Sequence, residues 1–346
     1  MPEIVLDPTT GQDRLTLAQF PTPMDHAPRL AAALGLSDLH IKREDQSGYA
    51  LGGNKLRQLD FILAQALAEG ADTLVATAGS QSNFCRSLAG AAARLGLECH
   101  LHLRAKMGTE FAGNLLLDHV FGAHVTFTQR TDPWDPAIAQ ELADLAAALK
   151  AQGRKPFVVQ LTGVSASVGV AGWMSGAAEM IGDFDAIAAR TGRRPDGVVA
   201  VCGSGLTLAG LALGFKHLGE HARLIGVSAQ QPQARLKDWI TTTANAAAPW
   251  LGIDTRLDPN DFDIIDEAIA PGYGQPSGRS IEAVRLAGRT EGLVTDPIYT
   301  GKGIAGMQIA IADGRIARGS SLVFLHSGGA PGLFTQTAAF APGASA

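Results

Sequence analysis

Cysteine, tyrosine and charge of either sign are scarce in this chain. Three tyrosines and three cysteines stand among 346 residues, and only 18% of the chain is charged. Cys85, Cys99 and Cys202 form no C-x-x-C pair and no even set, so the spacing indicates neither a disulfide framework nor a thiolate site. Lysine and arginine number 28 against 33 acids, a net charge of −5, and no basic run stands out. That balance argues against a nucleic-acid partner. No apolar stretch approaches the length of a membrane-spanning helix, so no membrane partner is expected. Residues 1–20 mix acids and polar groups, with no basic segment leading into an apolar one, and no signal peptide is expected. The nine histidines show no ligand spacing, and no metal is expected. These gaps leave a cytoplasmic protein with reduced thiols as the expectation.

What is present is turn-forming and apolar. With 41 glycines, 17 prolines and 46% hydrophobic residues, the chain is long enough for two domains sharing a sizeable core. Residues 1–24 read as irregular, with a short helix over Asp25 to Leu34 and a strand over Leu39 to Lys42. From Asp72 onward, strand and helix patterns alternate: a strand at Thr73 to Thr77, an alanine-rich helix at Ser82 to Leu95, a strand at Glu98 to Leu103. A second series runs from Val168, with a buried-type strand at Gly197 to Val201 and a helix at Thr207 to Leu218. The stretch from Gln230 to Pro259 lacks clear periodicity, and the tail from Ala338 to Ala346 is expected to fray. Alternating strands and helices predict an α/β protein of two domains, each an open, largely parallel twisted sheet flanked by helices. The smaller domain is predicted at 52–162, and the larger at 1–51 plus 163–346.

Six stretches are suited to chemistry. Gly52-Gly53-Asn54-Lys55 delivers a lysine to the first turn of a helix, since Leu56, Leu59, Ile62, Leu63, Ala66 and Leu67 recur at helical spacing. The positive end of the helix dipole disfavours the charged amine, and a neutral lysine is a nucleophile suited to forming a Schiff base with an aldehyde. A solvated lysine in a glycine turn remains the bland alternative. Cys202-Gly203-Ser204-Gly205-Leu206-Thr207 leaves a buried strand and enters a helix, a turn that aims N–H groups at an anion, phosphate above all. It fits a dinucleotide poorly, because the third glycine of G-x-G-x-x-G falls too late, at Gly210, and Ser228-Ala229 ends the next strand where an acid is needed. Gly79-Ser80-Gln81-Ser82-Asn83 lies between strand and helix, suited to a carboxylate or simply to N-capping. Tyr273 and Tyr299 lie in Gly/Pro loops, and His326-Ser327-Gly328-Gly329 ends the last strand, at the edge where open α/β sheets bind ligands.

In order and spacing, GGNKLRQLDF, GSQSNFCR, CGSGLTLAGL, APGYGQP, TDPIYTGKGIAGM and HSGG resemble one family. It is the pyridoxal-phosphate enzymes of D-cysteine desulfhydrase and 1-aminocyclopropane-1-carboxylate (ACC) deaminase, with the tryptophan-synthase β-like fold, and the likeness runs from about Phe20 to Leu333. The resemblance implies pyridoxal 5′-phosphate as cofactor, a small amino acid as substrate and a homodimer. Lys55 then matches the lysine that carries the cofactor and moves the Cα proton. Asn83 matches the asparagine bonded to the cofactor's phenolic oxygen, and Ser82 the serine near the substrate carboxylate. Gly203, Ser204, Gly205 and Thr207 match the phosphate cup, with Leu206, Asn54, Thr300 and Ser327 completing the cofactor set. Tyr273 and Tyr299 match the two active-site tyrosines. Gln81, Ser82, Asn83, Phe84 and Ser165 make the substrate set.

The branch within the family turns on few residues. ACC deaminases carry Glu after the second tyrosine and Leu after the final-strand histidine; here those positions are Thr300 and Ser327, as hydroxyl residues are in desulfhydrases. A carboxylate beside a pyridine nitrogen keeps it protonated and a strong electron sink, whereas a hydroxyl does so less, which suits loss of a good leaving group from Cβ. The resemblance therefore implies a lyase closest to D-cysteine desulfhydrase, releasing sulfide, a 2-oxo acid and ammonia. ACC deaminase, another β-lyase such as one for L-cysteate, and a catalytically silent cofactor-binding protein are the alternatives. Two positions depart from the pattern. Phe84 replaces the usual His or Gln and removes a polar contact near the substrate, and Leu206 replaces a cup glycine.

Overall fold

The computed structural model describes residues 2–105, 109–130, 132–133, 135–160 and 163–341. Ile4–Leu6 (β1) pairs antiparallel with Asp13–Leu15 (β2). Met24–His26 (β3), Pro28–Leu34 (α1) and Asp38–Arg43 (β4) follow. Next come Lys55–Ala68 (α2), Thr73–Gly79 (β5), Asn83–Leu95 (α3), Glu98–Arg104 (β6), Gly113–Val120 (α4), His124–Thr128 (β7), Pro136–Ala151 (α5) and Pro156–Val159 (β8). The helix Gly163–Thr191 (α6) leads to Gly197–Cys202 (β9), Leu206–Leu218 (α7), Arg223–Ser228 (β10), Gln233–Ala247 (α8) and Asp263–Ile265 (β11). Gly278–Glu291 (α9), Thr300–Ala312 (α10), Ser321–His326 (β12) and Ala330–Phe334 (α11) complete the chain.

Besides the β1-β2 pair, two larger sheets result, a four-stranded one ordered β7-β6-β5-β8 and a six-stranded one ordered β11-β10-β9-β12-β4-β3. Every pairing in them is parallel except β3 with β4. Strands β9 and β12 are buried along their whole length, which accounts for the apolar runs at residues 198–201 and 322–325. The α/β class and parallel sheets agree with the sequence reading. Three features differ from it. The irregular N-terminal stretch holds β1 and β2, and β3 occupies the start of the expected first helix, because its N–H and C=O groups complete the free edge of β4. Helix α8 crosses the stretch without clear periodicity. Its β-branched run Thr241-Thr242-Thr243 is a poor helix former, and burial of Leu236, Ile240, Ala244 and Ala247 overrides that weakness. The tail at 342–346 lies outside the described residues, and no described helix is long and apolar enough to cross a membrane.

Helix α6 is the axle of the molecule, packed against α2, α7 and α8. Gly172 makes this possible. A Cβ there would lie 2.1 Å from the Arg57 carbonyl oxygen of α2, so the two backbones meet directly. Gly172→Ala gains a better helix former but forces α2 and α6 apart, and neither backbone can swing aside as a side chain would. A net loss of about 1–3 kcal/mol in urea unfolding is expected; a variant as stable as the parent would show that the helices separate freely.

Candidate active site

The C-terminal edges of both sheets face one cavity of about 310 Å³. Lys55, first residue of α2, lines it and is reached by an unusual approach: Ala50 and Leu51 hold φ at 50° and 62°, left-handed values that non-glycine residues rarely adopt. Hydrogen bonds enforce that path. The Gly53 N–H donates to the Glu44 carbonyl at 2.8 Å and to Ser47 Oγ at 3.0 Å, and the Asn54 N–H to the Ser327 carbonyl at 3.1 Å. Asn54 Nδ2 donates to Thr207 Oγ1 at 2.8 Å, and its carbonyl accepts from Trp173 Nε1 at 3.2 Å. The lysine loop is thereby tied to the end of β12, to α6 and to the start of α7. Burial lowers the Lys55 amine to about 8, with Cys202 acting weakly the other way, so a usable share of it is uncharged near neutrality.

Opposite it, the turn between β9 and α7 presents Gly203, Ser204, Gly205, Leu206 and Thr207 to the cavity. Gly205 stands at φ 89°, and a side chain there would also collide with Ile240 and Leu236 of α8. The Ser204 hydroxyl is buried with no partner among the described residues. An unpaired buried hydroxyl at a 13-residue helix's N-terminus is what an anion site leaves open.

The loop after β5 brings Ser82, Asn83 and Phe84 to the cavity wall. Ser82 caps α3, its Oγ accepting the Cys85 N–H at 3.2 Å. Arg86, fully buried, holds this loop against the lysine loop: Nη1 donates to Asn83 Oδ1 at 3.2 Å and Nη2 to the Gly52 carbonyl at 2.6 Å. Desolvation brings that guanidinium down to about 10, against the pull of Asp118 and Tyr49.

The two tyrosines meet edge to face, their hydroxyls 2.6 Å apart. Burial raises both above the ordinary tyrosine value, so both are protonated at neutral pH. Asp296 places Tyr299. Its buried carboxylate accepts the N–H groups of Ile298, Tyr299 and Thr300 and the Thr300 hydroxyl, folding the first turn of α10. Lys302 places Tyr273, because its ammonium donates to the carbonyls of Ile269 and Gly272 at 2.7 and 2.8 Å.

Of the residues singled out from sequence, Asn54, Lys55, Ser82, Asn83, Phe84, the turn 203–207, Tyr273, Tyr299 and Ser327 line this one cavity. Three lie behind its wall. Gln81 is engaged by α4, donating to the Ala112 carbonyl and accepting the Asn114 N–H. Ser165 is buried, its hydroxyl directed at the Val158 carbonyl. The Thr300 hydroxyl is taken up by Asp296. Sequence reading passed over Arg86, Asp296 and Lys302, although each sits inside a quoted motif, and it passed over Arg104, which lines the cavity from the end of β6. A cluster of metal-ligating type, Glu98, His100 and His124, sits on β6 and β7, with Arg154 paired to Glu98.

The chain matches the family described as pyridoxal-phosphate dependent enzyme over residues 15–328. It is 38% identical over 327 residues to D-cysteine desulfhydrase of Salmonella typhi, covering 93% of this chain and 95% of that protein. The Salmonella newport D-cysteine desulfhydrase matches to the same extent. Among solved structures, an ACC deaminase homologue superposes with a TM-score of 0.82 at 30% identity, over 94% of this chain and 96% of that one. O-ureido-L-serine synthase, at 19% identity and a TM-score of 0.64 over 94% of each chain, shares the fold.

Proposed function

We propose, from the premise that this chain belongs to the pyridoxal-phosphate dependent enzymes, that it is a β-eliminating lyase of a small amino acid, working as D-cysteine desulfhydrase does. The residues fit the cofactor: the orphaned Ser204 hydroxyl lies at a phosphate-type helix N-terminus, and a desolvated lysine shares the cavity with it. When bound, pyridoxal phosphate acts as an electron sink that makes the amino acid's Cα–H bond acidic. The turn 203–207 holds the phosphate through backbone N–H groups and the hydroxyls of Ser204 and Thr207. Asn83 donates to the cofactor ring, while Asn54 and Ser327 fix the lysine loop beside it. Thr300 acts through Asp296 rather than by touching the ring.

Lys55 does the proton work: its uncharged amine accepts the Cα proton. Ser82 and the N-terminus of α3 hold the substrate carboxylate, which sets Cα within reach of that amine. The tyrosine pair, protonated at neutral pH, supplies a proton to the departing group at Cβ. Phe84 and Leu206 give the cavity apolar walls that exclude water. The observation that carries this reading is the meeting of an uncharged-capable lysine, an open anion turn and a protonated tyrosine pair in one cavity of about 310 Å³.

The division into a 52–162 unit and a unit of 1–51 plus 163–346 belongs to the same proposal, supported by the two separate sheets. A homodimer is supported by exposed Leu116, Val120 and Phe334 on the contacting helices α4 and α11. A cytoplasmic location is supported by three buried, unpaired cysteines.

The test is turnover of D-cysteine by the cofactor-loaded protein, with L-cysteine and ACC alongside. Sulfide and pyruvate from D-cysteine are expected in equal amounts. Formation of 2-oxobutyrate from ACC without sulfide from D-cysteine would replace the lyase reading with the deaminase one.

A further inference from the structure

The pairing of β6 with β7 gathers side chains that no spacing along the chain brings together. Glu98, His100 and His102 alternate along one face of β6. His124 opens β7 as the register partner of His100, so the two imidazoles come from different strands. Their rings stack, with centroids 4.6 Å apart and planes 24° from parallel. Helix α5 packs on this face over β5 and β8, and it reaches β6 at His102, whose Nε2 lies 3.1 Å from Glu141 Oε2. Beyond that contact the face meets solvent: His124 is exposed, and Glu98 and His100 are half-buried. Along β6, His100 precedes the cavity-lining Arg104 by about 13 Å of strand, so the cluster lies apart from the cavity.

Three donor atoms meet there. One ligand atom from each of Glu98, His100 and His124 lies within 4.8 Å of the other two. Glu98 is divided between two neighbours: Oε2 holds Arg154, and Oε1 faces His124 Nε2 at 3.5 Å. That separation is long for a hydrogen bond. It approaches the spacing of two ligands on one tetrahedral ion, about 3.3 Å for bonds of about 2.0–2.1 Å. Arg154 is itself shared with Asp72, whose Oδ1 lies 3.8 Å from its Nε. The Nε2 atom of His100 is buried without a hydrogen-bond partner among the described residues. His102, the next residue on the same face, has both ring nitrogens engaged, by Thr126 and Glu141. A buried polar atom left open beside two other ligand atoms is what a bound cation would satisfy. Two imidazoles and a carboxylate, with a fourth position left for water, suit zinc and its neighbours; magnesium and calcium prefer oxygen ligands throughout.

We propose that Glu98, His100 and His124 bind one divalent transition-metal ion, zinc foremost, which ties the edge strand β7 to β6. The ion takes Glu98 Oε1 with one nitrogen from each imidazole, while Arg154 keeps Oε2 and holds the carboxylate in place. Rotations of the exposed His124 and of Glu98 draw the three atoms to bonding distance. Strand β7 ends the four-stranded sheet and is paired on one side only. An ion bound by the folded form alone therefore stabilises that edge, by an amount that grows with its concentration. The three cysteines are buried and do not compete for it. The site is independent of the chemistry proposed for the cavity.

The test titrates the cofactor-loaded protein with Zn²⁺ in a calorimeter, and with Co²⁺ in the visible region, where its d–d bands report nitrogen ligation. One saturable Zn²⁺ per chain is expected, with no matching Mg²⁺ site. His124→Gln changes an exposed residue, and without metal it is expected to unfold as the wild type does. It is expected to weaken Zn²⁺ binding at least about 100-fold, beyond the loss of an outer-shell partner, and to abolish the Co²⁺ bands. The wild-type unfolding temperature should rise with Zn²⁺ concentration, and that of His124→Gln should not. His26, bonded to Asp38 at 2.8 Å and facing His40 across β3 and β4, is the control. His26→Gln is expected to bind Zn²⁺ as the wild type does. Zinc affinity lost in His26→Gln and kept in His124→Gln would overturn the proposal, as would an unfolding temperature that Zn²⁺ fails to raise. Turnover is not the readout, so the outcome holds whether or not the lyase reading does.

Discussion

Lys55→Ala is expected to lose at least about 10⁴-fold in turnover, the upper range for a positioned general base, with the covalent anchor lost as well. The same variant is expected to lack the absorbance band of lysine-bound cofactor while still binding free cofactor through the 203–207 turn. Its fold is expected to survive, because removing an amine whose charged form is penalised by burial relieves a cost. The pH dependence sharpens the test. Attack on an aldehyde needs the uncharged amine, and burial lowers Lys55 to about 8. Cofactor capture by the cofactor-free wild type should therefore rise with pH and level off above about 8, rather than climbing toward the value of a solvated lysine near 10.5. Turnover by Lys55→Ala at even a tenth of the wild-type rate would remove the lysine from the chemistry.

Arg57→Ala is expected to destabilise the protein by about 3–5 kcal/mol, the range for breaking a buried ion pair from one side. Arg57 Nη2 lies 2.8 Å from Glu44 Oε1 and 2.8 Å from Glu179 Oε1, and Lys42 Nζ joins the cluster 2.5 Å from Glu179 and 2.6 Å from Asp183. Glu44 is fully buried, so loss of the guanidinium leaves its charge unmatched. Phe20 also loses the cation 4.0 Å above its ring. Burial opposes ionisation of Glu179, yet Arg57 and Lys42 hold its carboxyl below the usual value of 4.5. A carboxyl lowered on folding contributes stability present above its unfolded value and lost as pH falls through the folded one. The variant should therefore show both a lower urea midpoint at pH 7 and a weaker dependence of stability on pH below about 4.5. A loss under about 1 kcal/mol would mean that Glu44 gains water or a proton at little cost. Because this cluster sits two residues beyond Lys55 and joins β4, α2 and α6, it anchors the helix that carries the lysine.

Much of this was legible along the chain because the features concerned are local. A lysine after Gly-Gly-Asn, a glycine turn between a buried strand and a helix, and tyrosines in Gly/Pro loops each announce themselves within about ten residues. Their order carried the family resemblance. Less was legible where a residue works through another. Thr300 reads as a cofactor contact by position, and the fold turns its hydroxyl onto Asp296. Gln81 reads as a substrate contact, and α4 takes both ends of its amide. Helix α8 was invisible to periodicity because only Leu236 and Ile240 on its buried face are strongly apolar, the rest of that face being Ala244 and Ala247.

The sequence by itself determined the parallel α/β architecture, through strand and helix periods, and singled out a lysine, a glycine turn and two tyrosines that line one cavity. Tertiary structure alone decided that Arg104 lines the cavity. A charged residue at the end of a strand carries no sign of its partners; only the pairing of β6 beside β5, with Asp135 already held by Arg130, leaves that guanidinium facing the cavity uncompensated. Whether a charge is paired depends on what distant segments bring to it, and no local pattern records that.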